Sequence, residues 1–353
     1  MNNNLVIPAA GKSSRYPNVK PKYLLTHPDG SLMIQKVLSA FDKKDYDKTV
    51  ITLLREHCEK FDADTVINQV FGSSVEVCIL EEPTADPAET VIKTIQDKSL
   101  TGFVTIKDCD CYVDAPVLLS KNCVVGKSVY DLSEETTIKN KSFIKKNEDE
   151  IISDIVEKKV ISDKISLGVY CMNIDDFQNA YNVISNSHIY KFKGEMYISH
   201  IVSFLINQGS IFHYVEAEKY FDWGTISEWR KEQKRFTTYF FDIDGVFLEN
   251  AGKYGKKNWK NFTVPIEENM RTLKKLSDEG AQIFFVTSRD KENIEQFKKI
   301  LKKFSIKYEK IIWGCNHSQR VIVNDFAPTN PFPSCKSISI PRNGKLSGYI
   351  SND

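Results

Sequence analysis

Thr238-Tyr239-Phe240-Phe241-Asp242-Ile243-Asp244-Gly245-Val246 is an aromatic, apolar run that ends in two carboxylates two residues apart. Such a run predicts a buried strand, and the carboxyl end of a strand is where an open α/β sheet places its chemistry. Residues i and i+2 of a strand point the same way, so Asp242 and Asp244 share a side. One can then act as a nucleophile while the other moves a proton or helps to hold a cation. The run begins about two thirds of the way along a chain of 353 residues. A different catalytic unit must precede it, and the length itself predicts two domains.

Hydrophobic residues make up 41% and charged residues 27%, with 48 basic against 47 acidic side chains and a formal net charge of +1. That balance advertises neither a nucleic-acid nor a membrane surface and suits small polar or phosphorylated partners. No apolar run approaches the roughly 20 residues that span a bilayer, and Met1-Asn2-Asn3-Asn4 before a short Leu5-Val6-Ile7 strand is not a signal peptide. A cytoplasmic location is expected. Eight cysteines (Cys58, Cys78, Cys109, Cys111, Cys123, Cys171, Cys315 and Cys335) lack the spacing of a zinc site and the density of a disulfide scaffold, so reduced core residues are expected. The six histidines show no ligand spacing.

Before residue 235, β-branched runs alternate with amphipathic segments. Strands are predicted at 5–9, 49–54, 75–80 and 102–106, with helices at 33–41, 57–70 and 88–96, which describes a sheet of mostly parallel strands. The lysine-rich stretch 139–149 reads as an exposed turn. The first strand runs into Pro8-Ala9-Ala10-Gly11-Lys12-Ser13-Ser14-Arg15-Tyr16-Pro17, a loop of small residues. Its backbone amides can approach a triphosphate, with Lys12 and Arg15 as charge-assisted donors. Lys22, after the rigid Pro21, can reach the same phosphates. Asp108-Cys109-Asp110 makes an acid-rich end to the strand at 102–106.

These segments, with Glu82-Pro83-Thr84-Ala85-Asp86-Pro87-Ala88-Glu89-Thr90, Glu157-Lys158, the Gly168 strand, Gly194-Glu195 and Phe221-Asp222-Trp223-Gly224-Thr225, resemble in their order the nucleotidyltransferases of the sugar-phosphate type. Ser13 stands where that family usually has a second glycine, and the family's glycine near Glu89 is absent. The resemblance implies a GT-A-like, Rossmann-like fold in which Ala10, Gly11, Lys12, Ser13 and Ser14 cradle the triphosphate. Arg15 and Lys22 would stabilise the leaving pyrophosphate. Glu89 would lie in the segment that contacts the base, and Asp110, with Asp108 as second choice, would hold magnesium together with Asp222. Glu157 and Lys158 would grip the acceptor phosphate, and Gly168 and Glu195 would line its pocket. Read without the resemblance, Gly168 allows a close backbone approach, Glu195 favours a helix start, and Glu157 and Lys158 are a solvated strand end.

The charged residues 228–235 suit a connector or terminal helix. Beyond them, helices are predicted at 267–279 and 291–304 and strands at 281–286, 310–313 and 321–323. The strand before Thr287-Ser288 and the run Arg320-Val321-Ile322-Val323-Asn324-Asp325 follow the acidic pair in order. Together they resemble the haloacid dehalogenase-like phosphohydrolases. That resemblance implies Asp242 as nucleophile and Asp244 as acid and base, with Thr287 and Ser288 holding the phosphoryl group and Arg320 countering charge. Asp242, Asp244 and Asp325 would carry magnesium. Arg320 replaces the family's more usual lysine. The intervals leave no room for a large cap.

The fold expected is α/β, with two Rossmann-like three-layer domains: a nucleotidyltransferase at 1–235 and a capless haloacid dehalogenase-like phosphatase at 236–353. The function expected is a bifunctional, magnesium-dependent enzyme acting on a nucleoside triphosphate and a small phosphorylated substrate, for surface or capsule polysaccharide precursors. Neither nucleic acid nor membrane is a partner, and a homo-oligomer is compatible. Two alternatives stand: an acceptor that is a phosphorylated amino-alcohol, polyol or amino acid, and a second domain that binds or assembles without catalysis.

Overall fold

The computed structural model describes residues 2–12, 15–16, 19–132, 138–187, 195–250, 264–325 and 335–350. The chain separates into two compact units, Met1–Trp229 and Arg230–Asp353. The division falls within a helix, six residues before the position expected from sequence.

The first unit begins with β1 (Asn3–Pro8), α1 (Met33–Leu38), β2 (Lys48–Leu54), α2 (Arg55–Phe61), α3 (Ala63–Phe71), β3 (Glu76–Leu80), α4 (Pro87–Asp97) and β4 (Phe103–Lys107). It continues through β5 (Cys111–Asp114), β6 (Cys123–Ser128), β7 (Ser142–Lys146), β8 (Ile152–Glu157), β9 (Lys164–Asn173), α5 (Ile174–Ser185) and α6 (Ile198–Asn207). β10 (His213–Glu216) and β11 (Lys219–Asp222) precede α7 (Ile226–Arg235), the helix in which the division falls. The main sheet runs β10-β6-β9-β4-β1-β2-β3, with the β7/β8 hairpin attached to β9. β1 to β4 are parallel, whereas β9 is antiparallel to both β4 and β6. The sheet is therefore mixed.

Side-chain alternation along β1 explains the layers. Val6 packs into the core that holds α4, α5 and α6, while Leu5 and Ile7 face the opposite core with α1, α2 and α3. Helices thus cover both faces. Local chemistry sets the boundaries: Asp86 caps α4 by accepting from Glu89 N–H at 2.8 Å, and Pro87 stands in the first turn. The single helix expected over 57–70 is broken in two at Asp62, whose φ is +51°. The stretch read as an exposed turn contains β7, whose Phe143 and Ile144 are buried. The lysines around them masked a short core strand.

The second unit contains β12 (Thr238–Phe241), α8 (Glu267–Glu279), β13 (Gln282–Val286), α9 (Glu295–Lys303) and β14 (Lys310–Ile312). The strands lie in the order β12-β13-β14, all parallel. The two crossovers step in the same direction, and with the one hand that such connections favour both helices lie on one face. Phe241, Ile283, Phe285 and Ile311 accordingly meet Met270, Leu273, Phe297 and Leu301 in one core. Phe240 and Ile312, on the other face, are 51% and 39% exposed. The described part of this unit thus has two layers, not the three expected. The strand expected at 321–323 does not form, and Val321, Ile322 and Val323 are 74%, 57% and 89% exposed.

Phe285 is fully buried and meets the rings of Phe247, Phe297 and Tyr308 edge-on. Phe285→Ala is expected to cost the second unit about 3–5 kcal/mol, read as a lower urea midpoint at unchanged slope; a loss below about 1 kcal/mol would contradict this packing.

Candidate active sites

The first site is built where β1, β4 and the β5/β11 ribbon end. Cys111 pairs with Asp222 in that ribbon, and Trp223 N–H donates to Asp110 O at 2.9 Å, so two acids more than a hundred residues apart are locked side by side. Both address the space beside Gly224. A Cβ there would lie 3.1 Å from Asp222 Oδ1, 3.4 Å from Asp110 Oδ2 and 3.5 Å from Arg15 Nη1. Tyr16, with 2% exposure, donates its hydroxyl to the carbonyls of Trp223 and Thr225, clipping the first loop to the Asp222 segment.

Lys22 places its ammonium 2.5 Å from Asp110 Oδ2, and Arg15 Nη2 lies 3.8 Å from the same oxygen. Burial alone would raise the Asp110 carboxyl, but the charge and hydrogen bond of Lys22 carry it well below the usual carboxylate range. Among the described residues no cation is bonded to the Asp108 carboxylate. Its tip reaches solvent, but the surrounding protein and the nearby Asp110 charge push its carboxyl up to about 6. Gly168 accommodates it: φ is +70°, and a Cβ there would stand 2.2 Å from Asp108 Oδ2. The positive φ therefore favours glycine here, and the Asp108 side chain fills the space beside it.

Other expected residues lie nearby in sequence order but do different local work. Ala10 is buried and Gly11 is exposed with open space around it. Lys12 is also exposed, while Ser13 and Ser14 lie outside the described residues. Glu89 accepts from Ala85 N–H at 2.6 Å and pairs with Lys93, which completes the cap of α4. Glu157 accepts from Ser142 Oγ and Ser199 Oγ, and Lys158, held at φ +55°, hydrogen-bonds Tyr197 Oη at 2.6 Å. Glu195 is exposed just ahead of α6. A cavity of about 370 Å³ beyond β2 and β3 is lined by Leu54, Arg55, Glu56, Glu59, Glu81, Glu82 and Pro83.

Two lysines of this site escaped the sequence reading. Lys141 forms an ion pair with Asp222 and donates to Tyr220 Oη at 2.7 Å. Lys107 is fully buried, donating to Asp108 O at 2.7 Å and Cys111 Sγ at 2.9 Å. A buried lysine inside an apolar run is the only signal that could have pointed to the second.

In the second unit, Asp242 lies at the end of β12, accepts from Ile243 N–H at 2.9 Å and has Arg320 Nη2 at 3.5 Å. Burial raises its carboxyl despite Arg320. Asp244 is gripped by Arg289, whose Nε donates to both oxygens at 3.1 and 2.9 Å and whose Nη2 donates at 2.6 Å. Arg289 is 1% exposed and was not singled out from sequence, although it follows Thr287 and Ser288 directly. Thr287 is buried and its hydroxyl accepts from Arg289 N–H at 3.1 Å, while Ser288 donates to Asn316 O at 3.3 Å. Asp325 is exposed and belongs to no strand.

Among the described residues no group of three or more His, Cys, Asp or Glu side chains is placed to hold a metal ion. The trio expected from Asp242, Asp244 and Asp325 is therefore not assembled: the strand that should carry Asp325 is missing and Asp244 is engaged by Arg289. The first site differs in kind. Magnesium is usually held by one or two carboxylates completed by substrate phosphates and water, and Asp110 with Asp222 fits that donor set. Also among the described residues, no helix is long and apolar enough to cross a membrane.

No protein-family model matches the chain, and no curated protein matches it. Solved structures do. The nucleoside-diphosphate-sugar pyrophosphorylase from Vibrio cholerae RC9 is 21% identical with a TM-score of 0.55, covering 65% of this chain and 98% of its own. The inositol-1-phosphate CTP transferase from T. maritima is 12% identical with a TM-score of 0.51, covering 64% and 90%. The CTP:phosphocholine cytidylyltransferase from Streptococcus pneumoniae is 16% identical with a TM-score of 0.50, covering 65% and 97%. The structural neighbours are thus nucleotidyltransferases, and about two thirds of this chain has their α/β fold with its mixed sheet.

The raised Asp108 carboxyl makes a pH prediction. The native protein keeps this proton through a range where the unfolded chain, with an ordinary aspartate near 4, has lost it. Native stability should therefore fall as pH rises from about 4 to 6. Asp108→Asn should remove that part of the slope and gain on the wild type across the window, by urea unfolding at several pH values. Parallel profiles for the two proteins would contradict the assignment.

Proposed function

We propose that the first unit transfers a nucleotidyl group from a nucleoside triphosphate to a sugar phosphate. The observation that carries this reading is the convergence of Arg15, Asp110 and Asp222 on Gly224, with Lys22 at 2.5 Å from Asp110. An acceptor phosphate oxygen attacks the α-phosphorus, the bond to the bridging oxygen of the β-phosphate breaks, and pyrophosphate leaves in line. Arg15 and Lys22 bind the triphosphate and stabilise the charge gathering on pyrophosphate. Lys158 orients the acceptor phosphate, and Tyr197, which its ammonium touches, holds it in place. Magnesium, held by Asp110 and Asp222, would neutralise the repulsion between the two phosphate groups.

Two of the neighbours are an inositol-1-phosphate CTP transferase and a CTP:phosphocholine cytidylyltransferase. They support keeping a phosphorylated polyol or amino-alcohol as the alternative acceptor. For the second unit we propose phosphomonoester hydrolysis: Asp242 attacks phosphorus to form an aspartyl-phosphate, and Asp244 protonates the leaving alcohol and then takes a proton from water. Thr287, Ser288 and Arg320 would hold the phosphoryl group. The Arg289–Asp244 pair and the exposed Asp325 favour a second reading, a binding or assembly module. We place the protein in the cytoplasm, supplying surface-polysaccharide precursors.

Pyrophosphate release with magnesium, five nucleoside triphosphates and a panel of sugar 1-phosphates, phosphopolyols and phosphoamines tests the first reading. One triphosphate–acceptor pair should react, and Asp110→Ala should slow it by at least about 100-fold; silence throughout would overturn it. For the second unit, phosphate release from p-nitrophenyl phosphate should vanish in Asp242→Asn. A wild type that hydrolyses neither this ester nor a sugar bisphosphate would overturn the phosphatase reading and favour the module.

A further inference from the structure

Lys141 stands directly before β7, and every contact of its ammonium described above is to β11. It pairs with Asp222, donates to Tyr220 Oη at 2.7 Å and lies 5.4 Å from the Tyr220 ring centroid. Its side chain is 20% exposed and that of Asp222 is 7% exposed. Burial disfavours the ammonium, but Asp222, helped by Cys111 and Asp110, keeps it more basic than an ordinary lysine. Lys22 stands to Asp110 as Lys141 stands to Asp222. Each acid suited to a divalent cation is thus already matched by a monovalent one.

This arrangement has a cost for metal binding. A dication arriving at Asp222 meets a fixed positive charge a few ångströms away, and even at the dielectric constant of water that repulsion weakens binding about tenfold. The ammonium can leave only if another anion takes it. Phosphate oxygens are the anions that a nucleotidyl-transfer site receives.

We propose that Lys141 is a resident counter-ion for Asp222 that keeps divalent metal off this carboxylate until a triphosphate arrives, so that metal and nucleotide are bound together. Lys141 is here a positioning residue. Its lysine chemistry suits the task, because an ammonium on a flexible stem changes partners more readily than a guanidinium fixed by two parallel bonds. The inference rests on the reading of Asp110 and Asp222 as metal-binding.

The test is Mn²⁺ binding to the full-length protein, read from the electron paramagnetic resonance signal of free Mn²⁺, without and with a non-hydrolysable triphosphate. Without nucleotide, Lys141→Met should bind Mn²⁺ about tenfold more tightly than the wild type, and Lys141→Arg, which keeps the charge, should stay weak. The gain should vanish in the Lys141→Met/Asp222→Asn double variant, and with triphosphate the wild type and Lys141→Met should converge. Equal or weaker binding by Lys141→Met, while the triphosphate-loaded wild type binds Mn²⁺ through Asp222, overturns the inference alone. A loaded wild type that binds no more Mn²⁺ than the triphosphate does by itself sinks the metal reading and the inference with it. Should circular dichroism show Lys141→Met unfolded, Lys141→Gln replaces it under the same criteria.

Discussion

Like charges held together are the constraint around which the first unit is organised. Asp108, Asp110 and Asp222 crowd one strand-end region of a unit that carries 33 acidic and only 25 basic residues. Left alone they would repel each other and any phosphate. The fold answers with cations aimed at particular oxygens: Lys22 and Arg15 at Asp110, Lys141 at Asp222. The acid without a bonded cation shows what that placement decides. Asp108 holds its proton to about 6, whereas Asp110, two residues on, stays charged under far more acid conditions.

The cluster is also held mechanically. Tyr16 ties the first loop to the Asp222 turn, and Trp223 and Trp229, each 1% exposed, pack edge-on to one another beneath it. The acids converge on Gly224, which is buried. A larger residue there would press on both carboxylates and on Arg15. Packing, backbone register and charge therefore specify the same geometry, which is the mark of a site built rather than incidental.

Much of this was legible in the sequence because the signals are local. The first four parallel strands and the helix over 267–279 follow from periodicity, and Lys22, Asp110 and Asp222 stand at segment ends where turns expose side chains. What stayed hidden depends on long-range pairing. Lys141 reads as one lysine in a polar stretch, and only the antiparallel attachment of β7 to β9 carries it to Asp222. Gly168 reads as a pocket residue until the side chain of Asp108 is seen filling the space a Cβ would need. At 321–323, strong β-propensity over three residues found no neighbouring strand, and propensity without a partner does not make a strand.

The two units thus place acids at strand ends by the same rule yet leave them in different states. Asp222 is matched by an ammonium on a flexible chain, a point charge that an arriving phosphate can attract. Asp244 is matched by a guanidinium that is 1% exposed and fastened by three hydrogen bonds. Breaking a buried pair of that kind strands a charge, which costs about 3–5 kcal/mol. Any anion that is to draw Arg289 away from Asp244 must offset that cost. The ammonium pair of the first unit is thus the easier one to exchange, and the guanidinium pair of the second the harder.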